Sequence, residues 1–139
     1  MSTFDSNMAS EFFIMSSLYR LGLSPILTLG NKKEIDIVIL KDNQTITIDV
    51  KGLKGLSNWP IGTGEKLEHL RRLRNHFFAF VCYHNHFRNL AEPPEVYIVP
   101  TRAALAVARQ WRGQDQFVVM VRDLRQRAND FRDKWSLFQ

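Results

Sequence analysis

Two aspartates and a lysine, Asp36, Asp49 and Lys51, are the residues whose type and spacing best suit chemistry. They lie in the stretch Glu34 to Lys51, EIDIVILKDNQTITIDVK, which holds two alternating runs separated by Lys41-Asp42-Asn43-Gln44. Ile35, Ile37 and Ile39 alternate with Glu34, Asp36, Val38 and Leu40. Thr45, Thr47, Asp49 and Lys51 alternate with Ile46, Ile48 and Val50. Period two with β-branched enrichment predicts two strands. Asp42-Asn43 tolerates a left-handed backbone, so the strands should form a hairpin.

With Asp42-Asn43 as a two-residue loop, Lys41 pairs with Gln44, and counting back sets Asp36 opposite Asp49. Directly opposed residues share a face with Cβ atoms about 4.5–5.5 Å apart. Asp49 and Lys51 share a face in any register. Two opposed acids embedded in isoleucine and valine repel each other unless something lies between them. A divalent cation is the simplest compensation, and two hard carboxylates suit Mg²⁺, with Mn²⁺ as an alternative. A lysine beside the pair can orient or deprotonate a water held there. Lys51 has a plainer reading too, as a cross-strand partner of Glu34.

Asp36 followed by Asp49-Val50-Lys51 on the next strand resembles the signature of the PD-(D/E)XK nuclease superfamily, the restriction-endonuclease-like fold. Ile35 stands where the name's proline would be. The resemblance implies Mg²⁺-dependent hydrolysis of phosphodiester bonds, with DNA as the expected substrate. It makes Asp36 and Asp49 the metal-binding acids, adds the Val50 carbonyl as a ligand, and makes Lys51 the catalytic lysine. The stretches PEVYIVP and FRDKWSLF also look like segments of small stand-alone bacterial members.

These residues need elements to hold them. Residues 7–22 read as a helix, capped by Ser6 or Asn7 and stopped by Gly22. Met8, Phe12, Met15, Leu18 and Tyr19 form its apolar face, and Glu11 sits near the centre of that face at 100° per residue. A charged group is seldom buried without a partner. Glu11 is either a first-turn acid favoured by the helix dipole, or it points at the acidic hairpin, as the first-helix glutamate does in many superfamily members. The second reading adds Glu11 to the catalytic and metal-binding set.

Residues 24–29 read as a short strand, turned into the hairpin by Gly30-Asn31-Lys32-Lys33, whose lysines are solvated or touch phosphate. The segment 52–64, GLKGLSNWPIGTG, holds four of the seven glycines and reads as a loop beside Lys51. There Lys54 suits a phosphate, and Trp59 either stacks on a base or sugar or packs on the core to anchor the loop. Residues 65–75 read as an amphipathic helix with a narrow stripe of Leu67, Leu70 and Leu73. Its Lys66, Arg71, Arg72 and Arg74 either contact a nucleic-acid backbone or are merely solvated.

HFFAFVCY, residues 76–83, lacks alternation and reads as a central strand buried on both faces. His84 and His86 read as loop residues rather than a zinc pair. Residues 95–99 form another strand, and Thr101 caps a helix running to Trp111 or Arg112 with Gly113 as its stop. Residues 117–121 look β-like. The tail reads as short helical turns with Phe131, Trp135 and Leu137 packing back.

The chain of 139 residues is one domain by length, 1–139. Apolar content of 45% with 24% charged residues is that of a soluble globular protein, and no run approaches a membrane span. The lone Cys82 excludes an internal disulfide, the N-terminus lacks signal-peptide features, and a cytoplasmic location is the expectation. Net charge is +5, and eleven of the twelve arginines lie from Arg71 onward, which suits a polyanionic partner. The element order predicts an α/β fold, a restriction-endonuclease-like αβββαβ core with a mixed sheet flanked by helices. A metal-dependent nuclease is the first functional reading. The alternatives are a nucleic-acid-binding module that does not cut, or a subunit of a larger restriction, repair or transposition assembly. A homodimer is compatible with each.

Overall fold

The computed structural model describes residues 3–28 and 35–139. In chain order its elements are α1 (Thr3–Arg20), β1 (Pro25–Leu27), β2 (Ile37–Lys41), β3 (Gln44–Leu53), β4 (Asn58–Gly62), α2 (Gly64–Arg71), β5 (His76–Cys82), β6 (Glu95–Pro100), α3 (Thr101–Val107), β7 (Arg109–Gln110), β8 (Phe117–Met120), α4 (Val121–Gln126), α5 (Ala128–Phe131) and a closing 3-10 turn, Trp135–Phe138. The 30–33 turn, Leu29 and Glu34 lie outside the described residues, and with them the proposed Glu34–Lys51 pair.

A five-stranded mixed sheet in the order β1-β2-β3-β5-β6 forms the frame, and only the β3–β5 neighbours run parallel. The hairpin forms as the alternation predicts. Asp42 and Asn43 both adopt positive φ, 47° and 63°, and Lys41 faces Gln44. A parallel neighbour cannot be reached by a tight turn. The chain therefore crosses over through β4 and α2 before entering β5, which is buried along its length as a central strand should be.

Each face of the sheet carries its own core. Ile37, Ile39, Ile46, Ile48 and Val50 pack with Ile14 and Leu18 of α1 and with Phe138. Phe78, Phe80, Tyr97 and Val99 pack on the other side with Trp59, Ile61, Leu67 and Leu70, beneath a small second sheet in the order β4-β8-β7.

Several boundaries move. α1 starts at Thr3, and Ser6 lies inside it, its hydroxyl donating to Thr3 O, so neither Ser6 nor Asn7 is a cap. Its buried stripe is Ser6, Ser10, Ile14 and Leu18, whereas Phe12 and Tyr19 stay exposed. Small side chains face the sheet because α1 comes very close: a Cβ on Gly52 would lie 2.3 Å from Ser10 Oγ and 2.5 Å from Ser6 O. The glycine-rich segment is therefore mostly strand: Gly52 and Leu53 extend β3, residues 58–62 form β4, and only 54–57 between them are loop.

α3 ends at Val107, because Arg109 and Gln110 pair with β8, and Gly113, at φ 74°, turns that hairpin instead of stopping the helix. Thr101 does not cap α3. Its hydroxyl donates to His76 O and meets His76 Nδ1. At the C-terminus Phe131 and Phe138 are buried and Trp135 is half-buried, but Leu137 is 43% exposed. The packing residue is its neighbour.

Candidate active site at the open edge of the hairpin

β3 outruns β2. The ladder between them ends at Ile37↔Ile48, so the direct Asp36–Asp49 opposition expected from the turn is not formed. Asp36 instead donates its amide to Ile48 O at 2.8 Å, a residue already paired with Ile37. Two residues thus address one, as in a β-bulge, which re-aims side chains beside functional sites. The Asp36 carboxylate takes over the missing ladder bond, with Oδ2 accepting from Val50 N at 2.7 Å. The Val50 carbonyl shares that open side, because one strand residue presents both backbone groups to the same edge.

Alternation along β3 turns Val50 into the α1-side core and Asp49 and Lys51 to the other face. Asp49 is 1% exposed. Its Oδ1 lies 3.5 Å from Lys51 Nζ and its Oδ2 lies 3.9 Å from Lys66 Nζ, yet Oδ2 has no hydrogen-bond partner. Burial pushes the Asp49 carboxyl up to about 7, against the pull of both lysines, and Asp36 adds to the rise. Burial also raises Asp36, while the Val50 N–H, Lys51, Asp49 and Lys66 pull it back. The two carboxyls are close enough for a hydrogen bond when one holds a proton.

Glu11 reaches this cluster from α1. Its carboxyl is pushed up to about 7 by burial and then by the charge of Asp36. The helix therefore brings Glu11 to the acidic hairpin, although Glu11 lies at the margin of the buried stripe and not at its centre.

Lys66 enters from the first turn of α2. Its sequence reading was a residue that contacts a nucleic-acid backbone or is merely solvated, yet it neighbours Asp49. Thr63 caps α2 by accepting from Lys66 N, and the Lys66 stem lies against Gly62, where a Cβ would come within 2.5 Å of Lys66 Cδ. Gly62 has φ 127°, a backbone that suits glycine. The Gly-Thr-Gly-Glu-Lys run was the available signal: a glycine, a capping threonine and a lysine three residues after the cap.

The other sequence-derived positions separate. Trp59 is 1% exposed, donates Nε1–H to Val81 O at 3.1 Å and packs on Phe80 and Tyr97, so it anchors the core and does not stack on a base. Lys54 is half-buried with its ammonium over the Phe87 ring. Arg71, Arg72 and Arg74 are exposed, but α2 stops at Arg71, so they follow a turn and not one helical face.

Two carboxylates, one with a buried oxygen lacking a hydrogen bond, form a hard-oxygen donor set that fits Mg²⁺, which uses one or two protein carboxylates and keeps several waters. Among the described residues no group of three or more His, Cys, Asp or Glu side chains is disposed to hold a metal.

The fold is mixed α/β, a five-stranded mixed sheet flanked by helices, with acids and lysines at the open edge of its hairpin. No family model matches the chain, and no curated protein does. Among solved structures it is similar to the bacterial homing endonuclease I-Ssp6803I, with TM-score 0.57 at 16% identity over 99% of this chain and 91% of that one. At that identity the likeness is one of fold. No helix among the described residues is long and apolar enough to cross a membrane.

Proposed function

We propose that the protein is a Mg²⁺-dependent nuclease of the PD-(D/E)XK kind that hydrolyses phosphodiester bonds in DNA. The carrying observation is the meeting of Asp36, Asp49, Lys51 and Lys66 at one strand edge, with a buried Asp49 oxygen that has no hydrogen bond. The fold neighbour, by its name an endonuclease, supports the same class. Retention of both acids and the lysine argues against a module that only binds.

Asp36 and Asp49 would hold the cation, with the Val50 carbonyl beside them. When bound, Mg²⁺ polarises a phosphoryl oxygen and makes a water more acidic. Lys51, held next to Asp49, orients the attacking water and offsets negative charge building on the phosphorus centre. Lys66 brings a second positive charge to the other Asp49 oxygen and helps receive the phosphate. Glu11, with its carboxyl near neutral pH, braces the acidic site and can take up a proton. The direct test is incubation with supercoiled, linear, branched and single-stranded DNA in Mg²⁺, Mn²⁺ or EDTA. Metal-dependent cleavage of at least one substrate is expected; intact DNA throughout would sink the reading.

Arg71, Arg72 and Arg74 lie about 8 Å or more beyond Lys66 along the chain, suitably placed to extend binding along a phosphate backbone. Replacing all three with alanine should weaken DNA binding equally across sequences. It should also flatten the dependence of log K on log salt by up to ~0.9 for each duplex phosphate no longer neutralised. An unchanged slope in a salt titration would mark this surface as merely solvated.

A further inference from the structure

The small second sheet ends in a ribbon that packs on nothing. β7 and β8 form an antiparallel hairpin whose pairing runs past the two strands, with Trp111 N donating to Gln116 O at 2.8 Å and Gln114 N to Trp111 O at 3.1 Å. Residues 109–115 are all exposed.

The ribbon is held at three points. Arg109 grips Asp123 of α4 with two bonds, Nε to Oδ2 at 2.7 Å and Nη2 to Oδ1 at 2.9 Å. Gln110 Nε2 donates across the turn to Gln114 O at 3.3 Å. Gly64 N donates to Asp115 Oδ1 at 3.1 Å. These contacts occupy both acids, Asp115 and Asp123. They leave Arg112 and Gln114, whose side chains make no hydrogen bond or ion pair among the described residues.

The ribbon also starts beside the candidate active site. Phe117 pairs with Gly62, so the hairpin projects past Gly62 towards the start of α2. There Asp115 meets Gly64, two residues before Lys66, whose ammonium lies 3.9 Å from Asp49 Oδ2. Gly113, at the turn, is four residues from Phe117 and therefore within about 14 Å of it. That reach spans about four base pairs of a duplex, at roughly 3.4 Å per pair.

Residue chemistry identifies the occupant. A two-stranded β-ribbon fits the major groove of B-DNA, which is about 12 Å wide. Arginine bonds guanine O6 and N7 together, glutamine bonds adenine N6 and N7, and an apolar group meets the thymine methyl. Arg112, Gln114 and Trp111 are these types, gathered on one turn. A protein-docking surface needs contiguous apolar area, whereas Trp111, 45% exposed, is the one large apolar side chain exposed on this ribbon.

We propose that the β7–β8 ribbon enters the major groove of duplex DNA and sets sequence specificity, with Arg112 and Gln114 on base edges and Trp111 against a thymine methyl. The proposal rests on the nuclease reading for its substrate class, and it adds that the substrate is a duplex read by sequence.

Binding, measured apart from cleavage, tests it. Duplexes with a randomised centre, selected on the parent with Ca²⁺ in place of Mg²⁺ and then sequenced, should enrich a defined motif. Arg112→Ala and Gln114→Ala should each lose discrimination at one or two positions, by about 5- to 150-fold per base pair. Both should keep the parent's melting temperature, since neither side chain has a contact to lose. Placing 7-deazaguanine where Arg112→Ala loses a guanine removes the N7 acceptor from the major groove. It should weaken the parent but not Arg112→Ala. A parent that binds no duplex or enriches no motif, variants that keep the full motif, or 7-deazaguanine without effect would each overturn the ribbon's role. Cleavage in Mg²⁺ without a motif would leave the nuclease reading standing alone, and a motif without cleavage would do the reverse.

Discussion

Asp49→Asn should lose cleavage by about a thousandfold or more, roughly 4 kcal/mol of transition-state stabilisation, yet become the more stable protein in metal-free buffer at pH 8. The two effects have one cause. The Asp49 carboxylate is almost wholly buried, and one oxygen has no hydrogen-bond partner. An unsatisfied buried acceptor costs about 1–3 kcal/mol. Burial lifts its pKa from the ordinary 3.8 to about 7. Between those values the folded chain holds more protons than the unfolded one, so the parent loses stability as pH rises through that window. Asparagine carries no charge and escapes the loss. Its advantage is full above about pH 7 and fades towards pH 4. Non-specific DNA binding should survive, because arginines and lysines supply it. Melts from pH 4 to 8 in EDTA, a cleavage assay and a binding titration together read all three. A variant that cleaves like the parent would remove Asp49 from the active site. A variant less stable at pH 8 would show that Lys51 and Lys66 more than compensate the buried charge.

The hairpin was legible because its information is local. Alternating β-branched residues define the strands, and two residues tolerant of positive φ define the turn. Asp36, Asp49 and Lys51 inherit their shared neighbourhood from that pattern. Glu11 could be suspected because a carboxylate interrupts apolar spacing on α1. What failed depends on partners distant in sequence. The inner face of α1 is lined by Ser6 and Ser10 because Gly52 lets the helix approach β3, whereas the more hydrophobic Phe12 and Tyr19 face outward. Hydrophobicity alone therefore selected a face rotated from the buried one: Leu18 is buried and Met15 packs on the core, but Phe12 and Tyr19 do not. Trp59 looked like a loop residue among glycines, but β4 exists only because β8 lies beside it to pair with it. Lys66 lies fifteen positions after Lys51 and reaches the same carboxylate because α2 starts against that face of the sheet. The bulge at Asp36 was equally invisible: the turn fixes the register of the hairpin, but not where the ladder stops.

Asp36→Asn should remove most of the thermal stabilisation that Mg²⁺ gives the parent. A cation that binds only the folded state adds about 2.7 kcal/mol at a hundredfold excess over its dissociation constant, or roughly 2–4 °C of melting temperature per kcal/mol. The donors exist before the metal arrives, but not in their charged form. Asp49 and Glu11 titrate near 7, and Asp36 is raised as well. Binding must therefore displace protons. The Mg²⁺ shift should be large at pH 8 and shrink as pH falls below about 7. In EDTA, Asp36→Asn should be neutral or stabilising. It removes a charge that repels Asp49 and Glu11, while the amide oxygen can still accept from Val50 N, as Asp36 Oδ2 does at 2.7 Å. Alanine cannot accept that bond, so Asp36→Ala separates the two roles: it should lose both the Mg²⁺ shift and some metal-free stability. Melts of the three proteins in EDTA and across a Mg²⁺ titration at pH 6 and pH 8 are the measurement. Equal Mg²⁺ shifts in parent and Asp36→Asn, or an asparagine variant clearly less stable in EDTA, would make Asp36 a clip for the strand edge and not a ligand.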